Sequence, residues 1–189
     1  LAKARAWAAE DPEERDVDLV SAALAKVLAR EIPWRQHCHR ADDIATAIRL
    51  SEEFGYRLVI NHGTEGHLIA DYLAEKGVDV IVGPLLTSRS KIELRNRAIS
   101  TPAVLAAAGV RIALTTDHPV VPIDLLINEA ALCVRAGAEH GVTVECRQSN
   151  HEGGLVERDA MVFQAARRMA QLDAAHEGLV FGRLDLRED

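Results

Sequence analysis

Gln36-His37-Cys38-His39-Arg40-Ala41-Asp42-Asp43 sets two histidines two residues apart at the end of a short extended segment. Side chains alternate across a strand, so both imidazoles face one side of a sheet and Cys38 faces the other, toward packing. The preceding Glu31-Ile32-Pro33-Trp34-Arg35-Gln36 reads as a short strand entered through a proline, and Ala41 to Phe54 repeats apolar residues at helical spacing (Ile44, Ala47, Ile48, Phe54). The histidines thus stand at a strand's carboxyl end, just before a crossover helix. α/β folds place their active sites there.

Downstream the same rhythm repeats. Arg57-Leu58-Val59-Ile60-Asn61 reads as a strand delivering His62, and Thr64 opens a helix from Glu65 to Lys76 that Gly77 closes. Val78 to Val82 is the next strand, ending at Gly83-Pro84. A longer basic connection follows, with Arg89, Lys91, Arg95 and Arg97, and Thr101-Pro102 starts a helix that ends at Gly109. Val110 to Thr116 is the fourth strand, delivering Asp117, and Pro122 to Ala136 is the fourth helix. The spans predict parallel strands near 32–37, 57–62, 78–83 and 110–116, in sequential order with right-handed crossovers. The near-continuous apolar runs of the second, third and fourth strands suit a parallel sheet covered on both faces. The fold class is therefore α/β, either half of a (β/α)₈ barrel or a small open sheet. Polar residues at three separate strand ends (His37, His62, Asp117) favour the barrel, where all such ends meet at one mouth.

Upstream, residues 1–16 are charged without a strong period and read as a surface segment, and Val17 to Arg30 reads as an amphipathic helix leading into the first strand. Beyond Gly137 the alternation stops. Val142 to Cys146 predicts one more short strand, Gln148 to Gly154 a polar loop, Leu155 to His176 a helix, and Arg183 to Asp189 a frayed end. The domain reading is thus 1–137 for the barrel-like unit and 138–189 for a tail with a C-terminal helix.

At 189 residues, 48% of them hydrophobic and 27% charged, the chain has the composition of a soluble globular domain, and a net charge of −7 argues against nucleic acid held on a basic face. No apolar run approaches the ~20 residues that span a bilayer. Cys38, Cys133 and Cys146 make no paired framework, which points to reduced thiols in a cytoplasmic protein. The start at Leu1, without an initiator methionine or a signal sequence, suggests that residues precede it.

Two imidazoles and a carboxylate from separate strand ends suit Zn²⁺ or a similar divalent ion with a position left open for water. The alternatives are hydrogen-bonded core histidines for His37 and His62, and a helix cap for Asp117. His39 reads as a substrate contact, a group supporting the ligands, or a structural hydrogen-bonding residue. His118 points to the side opposite Asp117, which argues against ligation. The Arg89/Lys91 loop is either a solvated charge run or a segment over the mouth that recognises an anionic group.

His37-Cys38-His39-Arg40-Ala41-Asp42-Asp43-Ile44, Asn61-His62-Gly63-Thr64-Glu65, Val82-Gly83-Pro84 and Thr116-Asp117-His118-Pro119 together resemble the last four strand ends of the amidohydrolase superfamily, in its imidazolonepropionase-related branch. The resemblance covers roughly residues 15–137. It implies a partial TIM-like barrel holding barrel strands 5–8, with His37, His62 and Asp117 as metal ligands and Asp117 as the catalytic base. His39, Arg40, Glu65, Arg89 and His118 are then expected to contact substrate. The implied chemistry is hydrolysis of an amide or cyclic-amide C–N bond by metal-activated water, with Zn²⁺ ahead of iron or manganese. The family's first-strand His-x-His pair has no counterpart in residues 1–36, which contain no histidine. A half barrel leaves strand edges and an inner face uncovered. The expected partners are therefore a small-molecule substrate and either a second copy of the chain or a segment completing the barrel. The competing expectations are a truncated, inactive chain acting as an oligomer or binding protein, without a cofactor, and a small-molecule-binding open α/β domain.

Overall fold

The computed structural model describes residues 1–139, 143–148 and 161–166. Two helices precede the sheet. α1 (Ala2–Ala9) forms where the charged composition predicts only a surface segment, because five of its eight residues are the strongest helix former. The chain folds back on it: the Trp7 indole N–H donates to the Asp16 carbonyl at 2.8 Å, and the Arg15 guanidinium lies 4.0 Å over the Trp7 ring. α2 (Leu19–Leu28) starts at Asp18, whose carboxylate accepts the Ser21 N–H at 2.9 Å and pairs with Lys3 at 2.8 Å.

The strand-helix rhythm then appears as expected. β1 (Trp34–Cys38) leads to α3 (Ala41–Phe54), and β2 (Leu58–His62) leads through a 3₁₀ turn at Gly66–Ile69 to α4 (Ala70–Lys76). β3 (Asp79–Val82) leads to α5 (Thr101–Ala107), and β4 (Ile112–Leu114) to α6 (Leu126–Glu139). β1 to β4 pair in chain order and all in parallel, with Cys38 beside His62 and His62 beside Val82. The architecture is that of a partial (β/α) barrel.

One sheet face carries the core. Leu58, Ile60, Val80, Val82, Ile112 and Leu114 are buried beneath the helices, with Ile44 and Ile48 of α3, Leu73 of α4 and Leu105 of α5 packed among them. Each such fully buried side chain contributes about 1.5–3 kcal/mol. The opposite face carries Arg35, His37, Val59, Asn61, Ile81 and Ala113, which are exposed or half-buried. Beside Val59 on this face stand Ile81 and Ala113, while Val80 and Ile112 lie on the helix-covered face, because Val59 is in register with Asp79 and Val80 with Ile112. A one-residue offset in register moves a side chain to the other face.

The tail departs from expectation. β5 (Thr143–Gln148) extends the predicted short strand, and β6 (Met161–Ala166) occupies the middle of the stretch read as a helix from Leu155 to His176. The sheet order is β1-β2-β3-β4-β6-β5, with β6 antiparallel to both neighbours. Met161-Val162-Phe163 is as acceptable in a strand as in a helix, and the unpaired edge of β4 offers it a ladder that local periodicity does not reveal. The rest of that predicted helix, most of the polar loop and the 183–189 end lie outside the described residues. None of the described helices is long and apolar enough to cross a membrane.

Candidate metal centre

The site forms at the carboxyl ends of the parallel strands. His37 projects from β1 on the open face. The strand ends one residue later, and His39 lies just beyond it, buried at 6% exposure. His62 closes β2 with φ of 75°, followed by Gly63 at φ 51°. A left-handed histidine costs roughly 1–3 kcal/mol and persists only where its surroundings hold it. Here the holding contact is visible: His62 Nδ1 donates to the Gly83 carbonyl at 2.7 Å. A carbonyl can only accept, so the proton sits on Nδ1 and the Nε2 lone pair is available to a cation.

The three rings converge. Centroids are 4.4 Å apart for His37 and His62, 4.7 Å for His37 and His39, and 4.8 Å for His39 and His62. One ligand nitrogen from each lies within 4.8 Å of the others. His39 Nδ1 is hydrogen-bonded to the Thr64 hydroxyl at 2.7 Å, and its Nε2 stands 3.6 Å from a Glu93 carboxylate oxygen. Burial, followed by the neighbouring imidazoles His62 and His37, pushes the His39 pKa down to about 4, against a partial pull upward from Glu93. Burial and His62 likewise lower His37, opposed by Glu93 and Asp117. The His39 ring is therefore neutral and His37 is biased the same way at neutral pH, as metal ligation requires. A histidine whose folded pKa lies below its unfolded 6.5 binds fewer protons folded than unfolded between the two values, so the folded state loses stability as pH falls through that window. Metal-free protein is expected to show a urea midpoint that declines from pH 6.5 toward about 4, and His39→Gln should flatten that decline. An unchanged slope in the variant would show that His39 is not held neutral by its surroundings.

Asp117 also has a left-handed backbone, at φ 52°, with its N–H donated to the Thr115 hydroxyl at 3.1 Å. Its exposed side chain shares a cavity of about 230 Å³ with His62, Asn61, Thr116, His118 and Arg35. The structure thus brings His37, His39 and His62 together, and sets Asp117 and His118 on a cavity wall shared with His62.

The other flanking residues have defined neighbours. Glu65 is buried, with one carboxylate oxygen accepting the Ala41 N–H at 2.9 Å and the other the Asn96 amide at 2.8 Å, so it ties the start of α3 to the basic connection. Arg40 forms a fork on Asp42 at 2.9 and 3.0 Å. Arg89 donates to the Arg97 carbonyl at 2.9 Å, and Arg97 to the Ser88 carbonyl at 3.1 Å, which braces that connection from within. Sequence reasoning did not single out Thr64, Glu93 or the Gly83 carbonyl. Thr64 has a signal, since it follows His62 by two residues and faces the neighbouring strand end. Glu93 and Gly83 act through a connection whose path has no periodicity to read.

Comparison with known proteins gives three findings. Residues 123–189 match a family described as DNA helicase IV HelD, N-terminal domain, a span that contains none of the three histidines. A 3-dehydroquinate dehydratase of Variovorax paradoxus is 49% identical over 47 residues, 25% of this chain and 30% of that protein. Another of that name from Streptomyces coelicolor is 62% identical over 34 residues, 18% of this chain and 22% of that protein. The crystal structure of an amidohydrolase from Thermotoga maritima MSB8 is 48% identical with a TM-score of 0.66, covering 72% of this chain and 36% of that one. The chain therefore spans about a third of the solved protein it matches and less than a third of those two dehydratases. The likeness in both fold and sequence to the Thermotoga protein supports the amidohydrolase superfamily.

Proposed function

We propose that this chain carries the metal-binding and base half of a divalent-metal-dependent hydrolase of amide or cyclic-amide C–N bonds, in the imidazolonepropionase-related branch of the amidohydrolases. The observation that carries the proposal is the convergence of His37, His39 and His62 on one point. Three imidazoles in partly buried contact repel one another once protonated, and a cation shared between neutral rings turns that liability into binding. The donor set fits: three nitrogen ligands suit Zn²⁺ ahead of iron or manganese. His62 is oriented by the Gly83 carbonyl and His39 by Thr64, as ligating histidines commonly are. When bound, the ion supplies a water acidified toward neutrality.

This chain's own residues would do the rest. Asp117, sharing the cavity with His62, takes the proton from the attacking water and returns it to the departing nitrogen. His118 and Arg35, on the same cavity wall, contact the substrate's polar edges. A cavity of about 230 Å³ falls below the ~300–1,000 Å³ usual for small-molecule sites, which favours a small ring as substrate. A cytoplasmic setting suits Cys38, a buried free thiol.

The test begins with metal. Protein stripped by chelator is expected to take up one Zn²⁺ per chain in calorimetric titration and to hydrolyse members of a cyclic-amide panel only when loaded. A chain that takes up no divalent ion sinks the proposal. A second reading keeps the metal and drops the turnover: the half-exposed open face favours a chain that binds small molecules or a second copy of itself. Stoichiometric metal without hydrolysis of any amide in the panel would select it.

A further inference from the structure

We propose that Glu129 is a positioning residue for the histidine cluster, acting from α6 through the turn that follows β3. Glu129 has no exposed surface. One of its carboxylate oxygens accepts two consecutive backbone N–H groups, Leu85 at 2.9 Å and Leu86 at 2.7 Å, while the other has no hydrogen-bond partner among the described residues. Those two N–H groups belong to the turn whose Gly83 carbonyl receives the His62 Nδ1 proton. The chain of contact is continuous: α6 carboxylate, Leu85 and Leu86 amides, Gly83 carbonyl, His62 ring.

Burying a carboxylate with one oxygen unpaired is a poor way to satisfy two amides if stability were the whole purpose, because a neutral acceptor would do so at lower desolvation cost. A charge-assisted pair of bonds is stronger and more directional than a neutral one. It fixes the turn at the point where a displaced carbonyl would release the His62 tautomer. The geometry is also out of reach of any local motif, since the carboxylate comes from 43 and 44 residues downstream of the amides it holds.

This inference rests on the reading of His62 as a metal ligand, and its test has one arm that does not. In metal-free protein labelled with ¹⁵N-histidine, the His62 ring is expected to be a single Nδ1–H tautomer, and Glu129→Ala should give a mixture. In Zn²⁺ titration Glu129→Ala should weaken binding about 10–100-fold, as loss of groups supporting ligands commonly does, with Glu129→Gln, a neutral acceptor of the same shape, falling between Glu129→Ala and the parent. Leu58→Ala, a cavity at the opposite end of β2 from His62, serves as the control for general destabilisation and should leave both readouts unchanged. Should Glu129→Ala fail to fold, Glu129→Asp shortens the reach by one methylene and reads the same two quantities. A retained Nδ1–H tautomer and full affinity in the Ala or Asp variant overturns the proposal, as does an equal loss in Leu58→Ala. If the parent binds no Zn²⁺, the metal reading fails on its own, and the tautomer shift in Glu129→Ala still decides whether Glu129 positions His62.

Discussion

Gly83→Ala is expected to be among the most damaging single substitutions in this chain. Gly83 has φ of 135°, where a side chain is strained, and an added Cβ would lie 1.9 Å from the Thr115 carbonyl oxygen. That oxygen is backbone, and it cannot swing aside as a side chain could. The Thr115 N–H is bonded to the Val82 carbonyl at 3.0 Å, so β3 and β4 would have to part at their carboxyl ends to admit one methyl group. Left-region strain alone costs about 1–3 kcal/mol. With the displaced ladder, the loss should reach roughly 4 kcal/mol, an exceptional value for one substitution and a large share of the ~5–15 kcal/mol that holds a domain together. Gly77→Ala is the matched control, because Gly77 at φ 63° has nothing within 4 Å of its added Cβ and pays only the conformational term. Urea unfolding of both variants should show Gly83→Ala losing several times more than Gly77→Ala. Equal losses would mean that the close approach of the two strand ends is not as tight as described.

This glycine illustrates what the sequence disclosed and what it withheld. The parallel order was legible because β2, β3 and β4 are short apolar runs closed by a turn residue and followed by helical spacing, and β1 is a short extended segment entered through Pro33 and followed by the helical spacing of α3, all of it local. The strand ends were legible for the same reason, with His62 and Asp117 as polar residues where apolar runs stop and His37 at the end of the extended segment. The role of His39 was only half legible. Alternation puts it on the side of His37, yet the strand ends at Cys38, and the hydrogen bond to Thr64 that orients the ring is a contact between strands. Gly83, Glu93 and Glu129 act across long sequence separations, through a carbonyl, a connection and a helix, and none of these has a period. β6 shows the opposite failure. Its apolar residues fit a helical spacing, and tertiary pairing with β4 decides the matter.

The largest functional effects should divide the histidines from Asp117. His62→Asn removes the imidazole while keeping a residue type that tolerates φ near 75°, so its fold should survive, and Zn²⁺ affinity should fall by more than the ~10–100-fold seen when only a supporting group is lost. His39→Ala should fall as far, since its ring belongs to the same convergent set. Asp117→Asn is different in kind. Its side chain is exposed on the cavity wall and lies outside the three-histidine group, so removing its charge should leave Zn²⁺ affinity within a few fold of the parent. If Asp117 moves the proton, turnover should nevertheless drop by about 10²–10⁴-fold, because an amide oxygen at that position is too weak a base to accept it. The two readouts, affinity by calorimetry and turnover on a cyclic amide, must therefore separate. Should Asp117→Asn lose metal as completely as His62→Asn, the aspartate is a ligand in its own right, and the coordinating set is the two strand-end histidines and carboxylate that the sequence alone suggested. Should it lose neither, the base lies elsewhere, and Glu93, 3.6 Å from His39, becomes the carboxylate to replace next.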